Sequence, residues 1–331
     1  MPRLVQVIGV YALPGTLQVT PSCFNKSFQA SIGGLKVKII LPQTQWTLDG
    51  PHITDPPMNP AVQQRLRHFI HDPRVPHYWG RVSRYHPSKR KIMQAHLGAI
   101  LLEFKHDPAS ITYSDYLYGR GHPESAEIQG LFQTIDAWFE QIRTWVETAV
   151  DQDADPIHSL LASTQQAAGL QVLTVDGNTV SLPASASNTI VTLSSYDPIS
   201  LSLLGKIMKL VNAGATPSDA HMLLRDSRAE FRRGRYRRSV IDAGSATEIT
   251  LADFNQRVTH VNTPPQGATL GWYTNQPMIA AQAQLPSNIY ADLVDIRNRA
   301  IHQNRMPTQD EAKVALTLAN QVVDRLDPLP V

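Results

Sequence analysis

A single cysteine, Cys23, rules out an intrachain disulfide and leaves no thiolate cluster for a structural zinc ion. Long apolar runs are also missing, and nothing approaches the ~20 residues that cross a bilayer. The first fourteen residues hold one arginine and a short apolar run without a small-residue cleavage pattern. Their β-branched content reads as a strand rather than a signal peptide, so the expected compartment is the cytoplasm, with no membrane partner. Charge of one sign is scarce. The formal net charge is +2, so any nucleic-acid surface must be local rather than a property of the whole chain. A G-x-x-x-x-G-K phosphate loop and a G-x-S-x-G nucleophile elbow are both lacking, which argues against a P-loop ATPase and an α/β-hydrolase. His68, His71, His77, His86 and His96 fit no zinc spacing, and no metal or cofactor is expected. What is present is 42% hydrophobic and 18% charged over 331 residues, a globular composition with room for two domains.

The expected fold class is α+β. Residues 1–195 read as a mixed, β-rich domain of sensor or regulatory type, and residues 196–331 as an all-helical bundle. In the first part, Leu4–Val10 is a strand candidate. Phe28–Ile32 and Leu35–Leu41 flank Gly33-Gly34, a hairpin signal. Prolines and turn residues from Pro42 to Pro60 suggest an irregular segment. His96–Phe104 reads as a buried strand, and strands on either side of Asp176-Gly177-Asn178 suggest a second hairpin. Between them, Ser125–Val150 carries Ile128, Leu131, Phe132, Ile135, Trp138, Phe139, Ile142, Trp145 and Val146 at three- and four-residue steps. That seam predicts a helix covering one face of a sheet. Pro183–Asn188 reads as a linker, with Thr189–Leu193 a further strand candidate of the first domain.

From Ile199 onward the periodicity is helical. Leu201–Val211 is apolar at helical spacing, and Ser218 caps a helix to Arg233. After a break at Gly234 the helical pattern resumes from Arg235 to Phe254, and Pro264-Pro265 and Gly267 mark a loop. Ser287 caps a helix to His302, and Thr308 with Glu311 has the capping-box spacing at the start of a helix to Leu326.

Two features carry chemistry. The first is Arg297-Asn298-x-x-x-His302, whose groups suit holding a phosphate and moving a proton. A bare arginine-x4-histidine spacing is common: Arg81–His86 repeats it, and Arg65–His71 and Arg90–His96 are one residue longer. Only Arg297 is followed by asparagine on a helical segment. With Arg297 set at about 0° on a helix, Asn298 falls near 100° and His302 near 140°. Ile289, Leu293, Ile296 and Ala300 then lie at about −40° to −100°, beside the motif. Ile301 sits inside the motif arc, which suggests a surface covered by a second subunit. The alternative is a solvated helix face on which Arg297 pairs with Asp292 or Asp295. The second feature is a run of seven arginines within fourteen residues, Arg225, Arg228, Arg232, Arg233, Arg235, Arg237 and Arg238, offset in part by Asp226 and Glu230. It reads either as a helix end suited to the helix dipole or as a phosphate-binding patch. The patch residues are Arg228, Arg232, Arg233, Arg235 and Arg238.

The Arg-Asn-x-x-x-His element, preceded by the stretch Phe231–Glu248 with its Gly234 turn, aromatic Tyr236 and small residues Ala243, Gly244, Ser245 and Ala246, resembles the HEPN superfamily. The resemblance covers about residues 200–328, and the two-domain layout is similar to some bacterial abortive-infection proteins. It implies a homodimer with facing motifs and composite sites. It also implies a metal-independent endoribonuclease, a toxin or antiviral defence effector, in which the RNA 2′-hydroxyl attacks the adjacent phosphate. Arg297 would stabilise phosphate charge, Asn298 would orient the phosphate or the histidine, and His302 would move the proton, since imidazoles titrate near neutrality. Glu248 is a candidate helper. The first domain would sense a trigger or regulatory partner. The other function class is a non-catalytic HEPN module that binds RNA, nucleotide or a protein.

Overall fold

The computed structural model describes residues 5–47, 50–53, 80–86, 91–106, 126–150, 152, 164–173, 179–189, 197–260 and 267–331. The chain divides into two units, Met1–Val146 with Ala154–Ala215, and Glu147–Asp153 with Thr216–Val331. The first is built on an antiparallel sheet and the second is helical, so the α+β class holds.

The sheet strands of the first unit are β1 (Val5–Val19), β2 (Ser27–Ile32), β3 (Leu35–Ile40), β6 (Gly80–Tyr85), β7 (Ile92–His106), β8 (Thr164–Leu173) and β9 (Thr179–Thr189). They follow the order β2-β3-β7-β1-β8-β9, with β6 also paired to β7. The β2–β3 hairpin closes on Gly33 and Gly34 at φ +56° and +83°, the double left-handed turn that matches strand twist. β1 is one long strand interrupted by a bulge between Ala12 and Leu17. Pro14-Gly15 lies in that gap, where proline has no N–H to give to the ladder. In β7 every residue from Ala95 to Leu102 is buried, as expected for a central strand covered on both faces. Helix α1 (Ala126–Ala149) buries Ile135, Trp138, Phe139, Ile142, Trp145 and Val146, and is tied to the sheet where Tyr11 donates to Asp136 Oδ1 at 2.6 Å. Burial, ahead of that carboxylate, pushes the Tyr11 phenol far above its ordinary range.

Several expectations change. The Pro42–Pro60 stretch is irregular only in part: β4 (Thr44–Thr47) and β5 (Gly50–Ile53) pair as a two-stranded sheet, and 54–60 lie outside the described residues. Pro51 is tolerated there because both strands of a two-stranded sheet are edges. The turn at Asp176-Gly177-Asn178 is also outside the described residues, although β8 and β9 pair on either side of it. Pro183–Asn188 is not a linker but part of β9, an edge strand, with Pro183 opposite Gly169 where the ladder shifts register. Helix α2 (Leu201–Asn212) belongs to the first unit rather than to the helical one. Ile199 bonds to the end of β1, and the Asn212 side chain accepts from Ser31 N and donates to Gln29 O on β2, both at 3.1 Å.

The helical unit contains α3 (Asp219–Arg232), α4 (Tyr236–Thr259), α5 (Leu270–Asn275), α6 (Pro277–Gln282), a π-helical turn (Tyr290–Asp295), α7 (Ile296–His302) and α8 (Gln309–Leu326). Ser218 caps α3 as expected, accepting from His221 N. Helix α4 runs past Phe254 to Thr259. Ser287 precedes a π turn instead of a uniform α-helix, and Asn288 there donates to Asp292. Pro264-Pro265 lie outside the described residues. The core is Leu224, Val240, Ala243, Ala246, Leu251, Leu293, Val294, Ala315, Ala319, Val322 and their neighbours. Alanines make up half of the α4 and α8 contributions, Ala243, Ala246, Ala312, Ala315 and Ala319.

The capping box at α8 is complete: Thr308 Oγ1 accepts from Glu311 N at 3.2 Å, and Glu311 Oε2 accepts from Thr308 N at 2.8 Å. That backbone N–H, helped by the Arg305 guanidinium, holds the Glu311 carboxyl below its ordinary range. A carboxyl depressed in the folded state stabilises above its unfolded pKa and loses that contribution as pH falls through the folded value. Thr308→Ala is therefore expected to cost about 1 kcal/mol in chemical denaturation at neutral pH. Glu311→Gln is expected to flatten the acid limb of stability against pH, and an unaltered limb would show that the box does not titrate with folding.

Candidate functional site

The motif helix α7 is short and is held against α4 from both ends. Ile296 and Ala300 face the core. Arg237, near the start of α4, donates from Nε to Ala300 O at 2.9 Å. Arg297 leaves α7 on the same side, and its Nη2 donates to Glu248 Oε2 at 3.0 Å. The stem of Arg297 lies over Gly244, where a Cβ would come within 2.9 Å of Cγ and 3.1 Å of Cδ. The arginine side chain is 16% exposed and the glutamate 27%, so the pair is largely shielded from water. Arg297 Nε is buried without a hydrogen-bond partner among the described residues.

Arg297 thus pairs with neither Asp292 nor Asp295; Asp295 pairs with Arg299 instead. Asn298, half-buried, and His302, exposed at the last position of α7, lie four residues apart on one face of the helix. Their side chains make no hydrogen bond or ion pair among the described residues. Chemically, the segment presents a fixed, partly satisfied guanidinium, an amide and an imidazole along about 7.5 Å of helix. The π turn immediately before it is a rare feature of the kind that recurs at functional sites. Below the site, burial first, then the carboxylates of Glu248 and Asp253, push the Tyr273 phenol up. Glu248 therefore acts electrostatically on Tyr273 as well as on Arg297.

The arginine run is mostly committed to the fold. Arg228 donates to the carbonyls of Glu147 and Thr148 at 3.0 and 2.8 Å and to Asn320 at 3.3 Å. Arg233 and Arg235 converge on Glu230, at 2.7 and 3.4 Å. Arg238 pairs with Asp242 at 2.8 Å. Burial outweighs that partner and raises the Asp242 carboxyl above its ordinary value. Arg232 is exposed. The outward members are thus Arg232, Arg235 and Arg238, while Arg228 and Arg233 are half-buried.

The other arginine–histidine spacings lie elsewhere. Arg81 is on β6 with His86 just past its end, His96 is buried on β7 beside Gln18, and Arg65, His68, His71, His77 and Arg90 are outside the described residues. Among the described residues no group of three histidine, cysteine or acidic side chains is placed to hold a metal ion, and no helix is long and apolar enough to cross a membrane. Two residues of the site are not evident as such in the sequence. Arg237 is hidden in the arginine run and Gly244 in a run of small residues. Their positions eleven and four residues before Glu248 are the signal that places all three on one face of α4.

No family model matches the chain, and neither a curated protein nor a solved structure matches it.

The two classes of arginine behave differently under substitution. Arg228→Ala is expected to lower stability by about 1–2 kcal/mol through lost charge-assisted bonds to carbonyls. Arg232→Ala and Arg235→Ala are expected within about 0.5 kcal/mol of the native protein. If the outward arginines contact RNA, their combined neutralisation also reduces the salt slope of binding measured by filter retention, and an unchanged slope excludes them.

Proposed function

We propose that the helical unit is a metal-independent RNA endonuclease, a HEPN-type ribonuclease, centred on Arg297, Asn298 and His302. The observation that supports this most is the division of labour on α7. Arg297 is seated and oriented by α4, whereas Asn298 and His302 carry no structural bond among the described residues. A guanidinium held in one orientation is suited to a phosphate whose charge grows in the transition state. In the proposed reaction the 2′-oxygen bonds to phosphorus while the bond from phosphorus to the 5′-oxygen breaks. His302 takes the 2′-hydroxyl proton, which is then returned through water to the leaving 5′-oxygen. The products are a cyclic phosphate and a 5′-hydroxyl, and DNA, which lacks the attacking group, is not a substrate.

A homodimer would place two motifs face to face across a two-fold axis. Half-buried Ile301 and Met306, which is 65% exposed just beyond α7, are apolar groups beside the motif that such a contact would cover. The sheet unit would then sense a trigger or bind a partner that restrains the nuclease. This is the behaviour of a toxin or antiviral effector acting in the cytoplasm. A second reading is favoured by the occupied fork of Arg297: a non-catalytic module that binds RNA, nucleotide or protein.

Arg297→Ala and His302→Ala are each expected to reduce cleavage of total RNA or tRNA in excess EDTA by about 10²-fold or more. Far-ultraviolet circular dichroism and the elution volume of the oligomer should stay unchanged. Native-level cleavage by either variant would remove that residue from the site. Binding without cleavage by the native protein would select the module.

A further inference from the structure

Three residues of α4 contact α7, and their spacing is informative. Taking Arg237 as the origin, Gly244 lies seven residues on and Glu248 eleven, within about 20° of the same line down the helix. One face of α4 thus presents, in order, an arginine that grips the α7 backbone at Ala300, a bare backbone position and a carboxylate. Arg297 lies along the last two. Its stem crosses Gly244 and its fork ends on Glu248.

We infer that Gly244 and Glu248 together form a seat that fixes the direction of the Arg297 guanidinium, and that Gly244 is a positioning residue of the site. The three atoms nearest to a Cβ at residue 244 all belong to Arg297: Cγ at 2.9 Å, Cδ at 3.1 Å and Nε at 3.3 Å. The first two lie in the stem, close to the α7 backbone, and are not the flexible tip. A methyl group there is accommodated only by rotating the arginine about its first side-chain bonds or by moving α7. Either change shifts the fork relative to Glu248. Glycine is otherwise a poor choice in the interior of a 24-residue helix, because alanine is the better helix former. The absence of a side chain at this position is explained by the arginine it accommodates. Fixing one long side chain in this way removes the freedom that would otherwise be lost when a phosphate binds, and small misplacements of such groups are costly to catalysis.

The catalytic part of this proposal rests on the ribonuclease reading, but the seat itself does not, and the test separates them. Gly244→Ala is made in the native chain and in the Arg297→Ala chain, and thermal unfolding of all four proteins is followed. With Arg297 present, the alanine should lower Tm; with Arg297 removed, the same change should raise Tm, because only the helix preference remains. A shift of the same sign and size in both backgrounds would overturn the seat. If Gly244→Ala alone does not fold, recovery of a folded protein in the double variant supports the seat, and failure of both overturns it. In the RNA cleavage assay, Gly244→Ala should reduce kcat by about 10²-fold with little change in KM, and should cause no further loss in the Arg297→Ala background. An independent, additive loss would deny Gly244 the positioning role. Absence of cleavage by the native protein, with the inverted Tm shifts present, would discard the ribonuclease reading and leave the seat standing.

Discussion

The ion pair between Arg297 and Glu248 depends on what α4 lacks one turn earlier. A side chain at residue 244 would occupy the path of the arginine stem, so the pair forms only where two helices approach across bare backbone. Ala243 and Ala246 are fully buried on α4, Ala300 on α7, and Ala312, Ala315 and Ala319 on α8. The alanines of α4 and α8 pack among the larger core residues Leu224, Val240, Leu251, Leu293 and Val322, and α7 is pinned to the unit by one arginine at each end, Arg237 donating inward and Arg297 reaching outward.

A half-buried ion pair is a weak source of stability, because desolvation of both charges offsets most of their attraction. Its stronger effect is geometric. The guanidinium is held to one carboxylate oxygen while its Nε stays unbonded, and the same carboxylate bears on the Tyr273 phenol. The site thus combines one group whose orientation is set by the fold with two, Asn298 and His302, that the described fold leaves unused. The arginine run upstream makes the contrast plain. Six of its seven members, Arg225, Arg228, Arg233, Arg235, Arg237 and Arg238, are engaged with carboxylates or carbonyls.

Local signals carried a good part of the fold. The Gly33-Gly34 turn, the buried run of β7, the seam of α1, the Ser218 cap and the Thr308–Glu311 box each follow from residues a few positions apart, and each forms as the local chemistry dictates. The misreadings share a different cause. Pro183–Asn188 has the composition of a linker, yet an edge strand with a register shift accepts proline, and its pairing with β8 decides the outcome. The apolar face of α2 fits a bundle as well as a sheet, and bonds to β1 and β2 some 180 residues away, through Ile199 and Asn212, assign it. The π turn before α7 has no signature in its residues. At the site, helical angles correctly placed Arg297 beside the core stripe, but the choice of Glu248 over the nearer Asp292 and Asp295 depends on Gly244, a residue 53 positions earlier.

The most direct test of the account is to identify the ends left on RNA by the native full-length chain in excess EDTA. A 2′,3′-cyclic phosphate with a 5′-hydroxyl is predicted, since attack by the neighbouring 2′-hydroxyl leaves no other pair. A 3′-hydroxyl with a 5′-phosphate, cleavage that requires added divalent metal, or RNA left intact would contradict it.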